Sequence, residues 1–187
     1  MKRIVLSSMF IATMMAFAAC SSNQSNDSKE VAEDLNEQKF DSTQIEDDTE
    51  FAVDAADGGL LEVKLGELAQ TNGSSPAVKE FGKMMVTEHS KANEELAALA
   101  TQKNISLPLS LSADNQKKVD DFTKKTGKDF DKAYADLMVE DHKEDLEDFQ
   151  EAAKEGKDPE VKAWAAGKVA TLEQHLAKAK ALKDGVK

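Results

Sequence analysis

The chain has one cysteine, one tryptophan, one tyrosine, three prolines and three histidines among its 187 residues. A lone cysteine excludes an intrachain disulfide framework and every multi-cysteine metal motif. Basic residues are also scarce, with 24 Lys and Arg against 36 Asp and Glu and a formal net charge of -12. Acidic residues interleave with nearly every basic one, so no patch can neutralise a phosphate backbone and nucleic acid is excluded as a partner. The sequence offers no glycine-rich phosphate loop and no Ser-His-Asp context, so enzymatic activity has weak support. No stretch of alternating β-branched residues suggests a strand, which leaves an all-α domain.

At the N-terminus Lys2 and Arg3 precede a mostly apolar run from Ile4 to Ala18. About 15 apolar residues are too few to span a bilayer that needs ~20, and residues 1–20 read as a secretory signal. The run ends in Phe17-Ala18-Ala19-Cys20, which resembles the lipobox of bacterial lipoproteins, where the cysteine becomes lipid-modified and N-terminal. By the sorting rule of such lipoproteins, Ser21 in place of an aspartate implies the outer membrane, with the protein facing the periplasm. The lipid anchor is then the membrane partner; no protein partner can be named. Loss of Lys2 and Arg3 leaves 22 basic against 36 acidic residues and a charge of -14, which keeps the domain soluble and monomeric beside an anionic envelope. Residues 21–49 are rich in Ser, Asn, Gln, Asp and Glu and read as a disordered acidic tether, ~30 Å long as a coil. Val31 and Leu35 allow a transient helix within it.

From residue 50 to 184 the apolar period is helical. A first helix over about 51–71 stops at Asn72-Gly73, where the glycine is expected to take the left-handed C-terminal conformation. A second starts with Ser75 as N-cap and Pro76 at the first helical position and ends near Lys103. A short helix spans 112–123, a long one runs from Asp129 to Gly156, and the last opens at Asp158-Pro159. The stop and start signals at 73–76 and 156–159 make two antiparallel hairpins. The connection from Asn104 to Lys128 far exceeds the roughly two to eight residues usual between neighbouring helices, so it crosses the bundle's length. The expected fold is a four-helix bundle, up-down-down-up with one long crossover, of the ferritin-like kind.

All three histidines fall on the apolar stripes of different long helices. Met85-Val86-Thr87-Glu88-His89 returns as Met138-Val139-Glu140-Asp141-His142, and His175 ends Leu172-Glu173-Gln174-His175. At 100° per residue His89 shares its stripe with Val78, Gly82, Met85, Leu96 and Ala100, while His142 shares its own with Ala135, Met138, Leu146 and Phe149. On the first helix one acidic residue, Glu62, sits in the stripe Phe51, Ala55, Gly58, Leu65 and Ala69. With ~1.5 Å of rise per residue, Glu62 lies ~14 Å from the end where the first two helices meet, His89 ~20 Å, His142 ~21 Å and His175 ~17 Å, within about one turn of each other.

Phe51 to Val63 with its Gly58-Gly59-x-x-Glu62, Met85 to His89, Phe130-Asp131-Lys132-Ala133-Tyr134 and Leu172 to His175 together resemble the bacterial envelope family catalogued as domain of unknown function 4142. The similarity covers about 50–182. It implies a ferritin-like helical bundle in which Glu62, His89, His142 and His175 are the polar core positions, and it implies no activity.

A carboxylate-bridged di-iron site needs a carboxylate three residues before a histidine on two helices. Here those positions are Val86, Val139 and Leu172, which argues against it. Two readings of the cluster stay open. It is either a closed hydrogen-bonded network, or a site for a single Zn, Cu or Fe ion held by Glu62, His89, His142 and His175. The neighbouring Glu88, Glu140, Asp141 and Glu173 are expected to be solvated, and Lys168 is expected to pair with Asp145. The expected function is a lipid-anchored binding or envelope-stress module, with a metal-binding protein or redox enzyme as the alternative. If Cys20 carries the only anchor, Cys20→Ser moves the protein from the membrane to the soluble fraction on cell fractionation. Retention in the membrane would contradict the lipoprotein reading.

Overall fold

The computed structural model describes residues 27–186, which form helices and the turns between them. There are six: α1 (Ser28–Phe40), α2 (Glu46–Asn72), α3 (Pro76–Lys103), α4 (Ala113–Thr123), α5 (Gly127–Glu155) and α6 (Pro159–Gly185). Among the described residues there is no strand, only an isolated bridge between Gly73 and Gly127. None of the described helices is long and apolar enough to cross a membrane. The signal segment and Cys20 lie outside the described residues.

Pro76 and Pro159 open α3 and α6, where the missing N–H costs nothing. The orphan amides at these helix starts are satisfied mainly by aspartates. Asp158 accepts from the Glu160 and Val161 amides. Asp131 of α5 accepts from the amides of Ser74 and Ser75, each at 2.9 Å, so the end of α3 is capped from another helix rather than by the Ser75 side chain. Asp48 does the same for the start of α6, accepting from Lys157 at 2.9 Å and from Asp158. Gly73 is not left-handed, as its φ is -66°. Its constraint is space, since a Cβ there would lie 2.6 Å from the Ala69 carbonyl oxygen.

Helices α2 and α3 form one antiparallel hairpin and approach most closely where Gly66 faces Gly82. A Cβ on Gly82 would come within 2.6 Å of the Ala69 Cβ and 2.7 Å of the Gly66 carbonyl oxygen. Helices α5 and α6 form the second hairpin, joined at one end by Phe149 against Trp164 and at the other by a 2.8 Å ion pair between Lys183 and Asp136. Asp48 and Asp131 fix α2 antiparallel to α5. Lys168 with Glu95 and His175 with Glu88 fix α3 antiparallel to α6. It follows that α3 and α5 run in the same direction. Met85 and Met138 accordingly meet in one core cluster with Leu61, Leu65, Phe130 and Tyr134, all buried.

The segment expected as a disordered tether contains α1 and the first turn of α2, which corrects the boundary at residue 50. Helix α1 buries only Ala32 and Asn36, too little apolar surface to show as a periodic stripe. Polar staples hold it instead. Asn36 accepts from the Ser106 amide at 2.7 Å and donates to the Ser106 carbonyl at 2.9 Å, and Lys29 pairs with Asp54 at 2.7 Å. The crossover is pinned from the other side by buried Asp57 of α2, which accepts from the Ser112 amide and the Asn115 side chain, both at 2.8 Å. Helices α1 and α4 thus cover part of the outer side of α2.

Glycines in the helix interiors differ in what a side chain would meet. A Cβ on Gly58 would meet nothing closer than Asp145 Oδ1 at 3.8 Å, an ordinary contact. Gly58→Ala should therefore stabilise by up to ~1 kcal/mol through helix propensity, while Gly82→Ala should cost ~1–3 kcal/mol by forcing α2 and α3 apart. Urea unfolding of both variants checks the pair, and equal effects would contradict the packing described.

Candidate metal centre

Glu62, His89, His142 and His175 meet at one level of the core, each from a different long helix, and all four are buried. The three imidazole rings form a triangle with centroids 5.3–5.7 Å apart. One nitrogen from each ring lies within 4.8 Å of one from each of the others.

The protons on these rings follow from their outer partners. His142 Nδ1 lies 3.0 Å from the Met138 carbonyl oxygen, which can only accept, so the proton is on Nδ1 and the Nε2 lone pair faces inward. His175 Nε2 donates to Glu88 at 2.9 Å, which leaves its Nδ1 lone pair facing inward as well. Three contacts then remain inside the cluster. His142 Nε2 faces Glu62 Oε1 at 3.2 Å, Glu62 Oε2 is in close contact with His89 Nδ1, and His89 Nε2 faces His175 Nδ1 at 3.3 Å.

Neutral groups can supply two protons to these three contacts, one from His89 and one from Glu62 if it is protonated. Wherever those protons sit, one contact brings two lone pairs together. The geometry shows which contact fails most plainly. Glu62 Oε1 and His142 Nε2 are within ion-pair distance, yet neither makes a hydrogen bond and both are buried. A third proton would complete the set only by creating a buried imidazolium. Burial opposes that at every ring: it lowers His89 to about 4 and His142 to about 3, and it lowers His175 despite the partly exposed Glu88 beside it. Glu62 is pushed well up by burial and by the nearby Asp141 charge.

Two residues expected to be solvated belong to this site. Glu88 is 42 % exposed in its side chain but turns inward to orient His175. Asp141 is half-buried, with Oδ2 buried and unpartnered, and its carboxyl is pushed up to about 6, chiefly by burial. Glu140 and Glu173 are exposed as expected. Lys168 pairs with Glu95 of α3 rather than Asp145, and its ammonium lies 5.8 Å from the Trp164 ring. Met85 and Met138 are core residues.

A cavity of about 270 Å³ reaches the cluster from one side, with Glu62, His89 and His175 in its wall. Phe149, Trp164 and Leu172 give it an apolar lining, and Asn93, Lys168 and Glu88 add polar groups. Asn93 occupies the space that a side chain at Gly59 would need. The glycine that makes room here is thus Gly59.

Fold and site together define a helical bundle with a buried histidine and glutamate cluster at its centre. The chain belongs to the family described as domain of unknown function 4142, whose model matches residues 30–182 and so takes in most of α1 as well as the four long helices. No curated protein and no solved structure is significantly similar to it.

Removing the carboxylate while keeping its shape isolates the lone-pair conflict. In metal-free protein Glu62→Gln should leave stability unchanged or raise it by ~1 kcal/mol, because the amide keeps an acceptor toward His89 and a donor toward His142 without having to take up a proton. Glu62→Ala should cost ~1–3 kcal/mol by opening a cavity and stranding His89. Thermal melts after chelation check this, and a Glu62→Gln variant less stable than Glu62→Ala would contradict the arrangement.

Proposed function

We propose that this chain is a metal-binding helical bundle of the bacterial envelope, tethered through a lipid on Cys20, with one divalent transition-metal ion held by His89, His142 and His175. We read its four long helices as a ferritin-like bundle with one crossover. The observation that supports metal most directly is the shortage of one proton among three buried contacts, because a cation at the inward-facing nitrogens removes the conflict without a buried imidazolium.

The donor set fits. Nitrogens each ~2.0–2.1 Å from a tetrahedral ion are ~3.3 Å apart, the spacing already present between His89 Nε2 and His175 Nδ1. Each ring is oriented through its outer nitrogen, His89 by Glu62, His142 by the Met138 carbonyl and His175 by Glu88, the outer support typical of metal-bound imidazoles. Glu62 then serves first as the acceptor that aims His89. Three imidazoles suit Zn, Cu(II) or Fe, and the position left for a fourth ligand belongs with an ion that binds water or a small molecule. The adjoining cavity gives such a molecule a way in. This favours metal handling over a purely structural network or a stress module without an ion.

Zinc titration of the purified, chelator-treated protein should show one equivalent bound, with His142→Ala and His175→Ala abolishing tight binding. Glu88→Gln should weaken it by ~10–100-fold through His175 alone. Wild-type affinity no greater than that of a variant lacking all three histidines would overturn the proposal.

A further inference from the structure

His142 belongs to two groups of converging ligand atoms. One is the triangle with His89 and His175; the other combines His142 with Glu62 and Asp141, again with one atom from each residue within 4.8 Å of the others. The second group carries its own mark of a missing partner. Glu62 Oε1, Asp141 Oδ2 and His142 Nε2 are all buried and all without a hydrogen bond, although Glu62 is 1 % exposed and His142 0 %. Tyr134, seven residues before Asp141 on α5, leaves a fourth buried polar atom, its hydroxyl, unpartnered. Buried polar atoms are as a rule satisfied, and besides these four only Trp164 Nε1 is left bare among the described residues. Three of the bare atoms belong to side chains whose ligand atoms converge, which points to a ligand between Glu62, Asp141 and His142.

The two groups differ in chemistry. The first is all nitrogen and suits borderline ions such as zinc or copper; the second is mostly carboxylate oxygen and suits harder ions such as manganese. They also compete. With Nδ1–H committed to the Met138 carbonyl, His142 has a single lone pair, on Nε2, and can complete only one set at a time.

We propose that the core holds one ion at a time in either of two overlapping positions, a nitrogen-rich one on His89, His142 and His175 and an oxygen-rich one on Glu62, Asp141 and His142, with His142 passing between them. This rests on the reading of the cluster as a metal centre and adds the selectivity of that centre. A borderline ion arriving at a protein loaded with a hard one takes His142 and displaces it. A carboxylate at position 141 is needed for the hard ion and is dispensable for the borderline one.

Manganese and zinc themselves are the probes, on the intact protein after chelation. Mn(II) bound to the protein is followed by the loss of its free-ion electron paramagnetic resonance signal, and zinc is then added. One equivalent of manganese should bind, and zinc should release it one for one. Asp141→Asn, which keeps the side-chain volume, should weaken manganese by at least ~10-fold and leave zinc within ~3-fold, whereas His175→Ala should do the reverse. Circular dichroism of both variants confirms that they fold. Two ions bound together, or Asp141→Asn with wild-type manganese affinity, would overturn the inference. Zinc binding with no manganese binding would overturn it too while leaving the three-histidine reading intact. Failure of both ions to bind would overturn both.

Discussion

Three buried contacts in this protein have at most two protons to share between neutral groups, and the partners around them hold the remaining lone pairs inward. The outer nitrogens of His142 and His175 are committed to the Met138 carbonyl and to Glu88, which fixes their lone pairs inward. Glu62 has an oxygen toward His89 and another toward His142. A network selected for stability alone would replace one of these groups with an apolar side chain, since a partly satisfied buried network is worse than none. Keeping the conflict makes sense where a cation resolves it.

The bundle supplies the rigidity that such an arrangement requires. Each of the four groups stands on a separate long helix, so their spacing depends on how the helices are held. Gly66 and Gly82 set the distance between α2 and α3. Asp48 and Asp131 lock α2 and α5 in register by capping the helices that follow the two tight turns, and Asp57 ties the crossover to α2. These aspartates accept two or more hydrogen bonds each, which offsets the cost of burying their charge. One side of the cluster stays open to the cavity beside Trp164, so the site is rigid without being sealed.

Much of this was legible in the sequence because helical periodicity and rise are regular. The stripes through Val78, Met85 and His89 and through Met138 and His142 are buried as read, and the four polar groups lie at one depth because the long crossover makes α3 and α5 run the same way. The missed residues have a common cause. Glu88 and Asp141 are each one position before a histidine, ~100° from the core direction, which on an isolated helix faces water. In a four-helix bundle that flank faces the next helix, so Glu88 reaches His175 on α6 and Asp141 reaches the Glu62 side. Helix α1 reads only as a transient helix because polar staples such as Asn36, rather than the weak spacing of Val31 and Leu35, hold it in place, and the capping aspartates are not legible because their partners lie more than 50 residues away in sequence.

Nitrogen-15 spectra of the imidazoles test the proton shortage most directly, since only three rings contribute. In metal-free protein near neutral pH all three should be neutral, with His142 protonated on Nδ1 and His175 on Nε2. On zinc addition His89 Nε2, His142 Nε2 and His175 Nδ1 should move together to shifts of metal-bound nitrogen. An imidazolium present at neutral pH before metal is added, unchanged by zinc, would show that a third proton already completes the contacts and that no metal is needed.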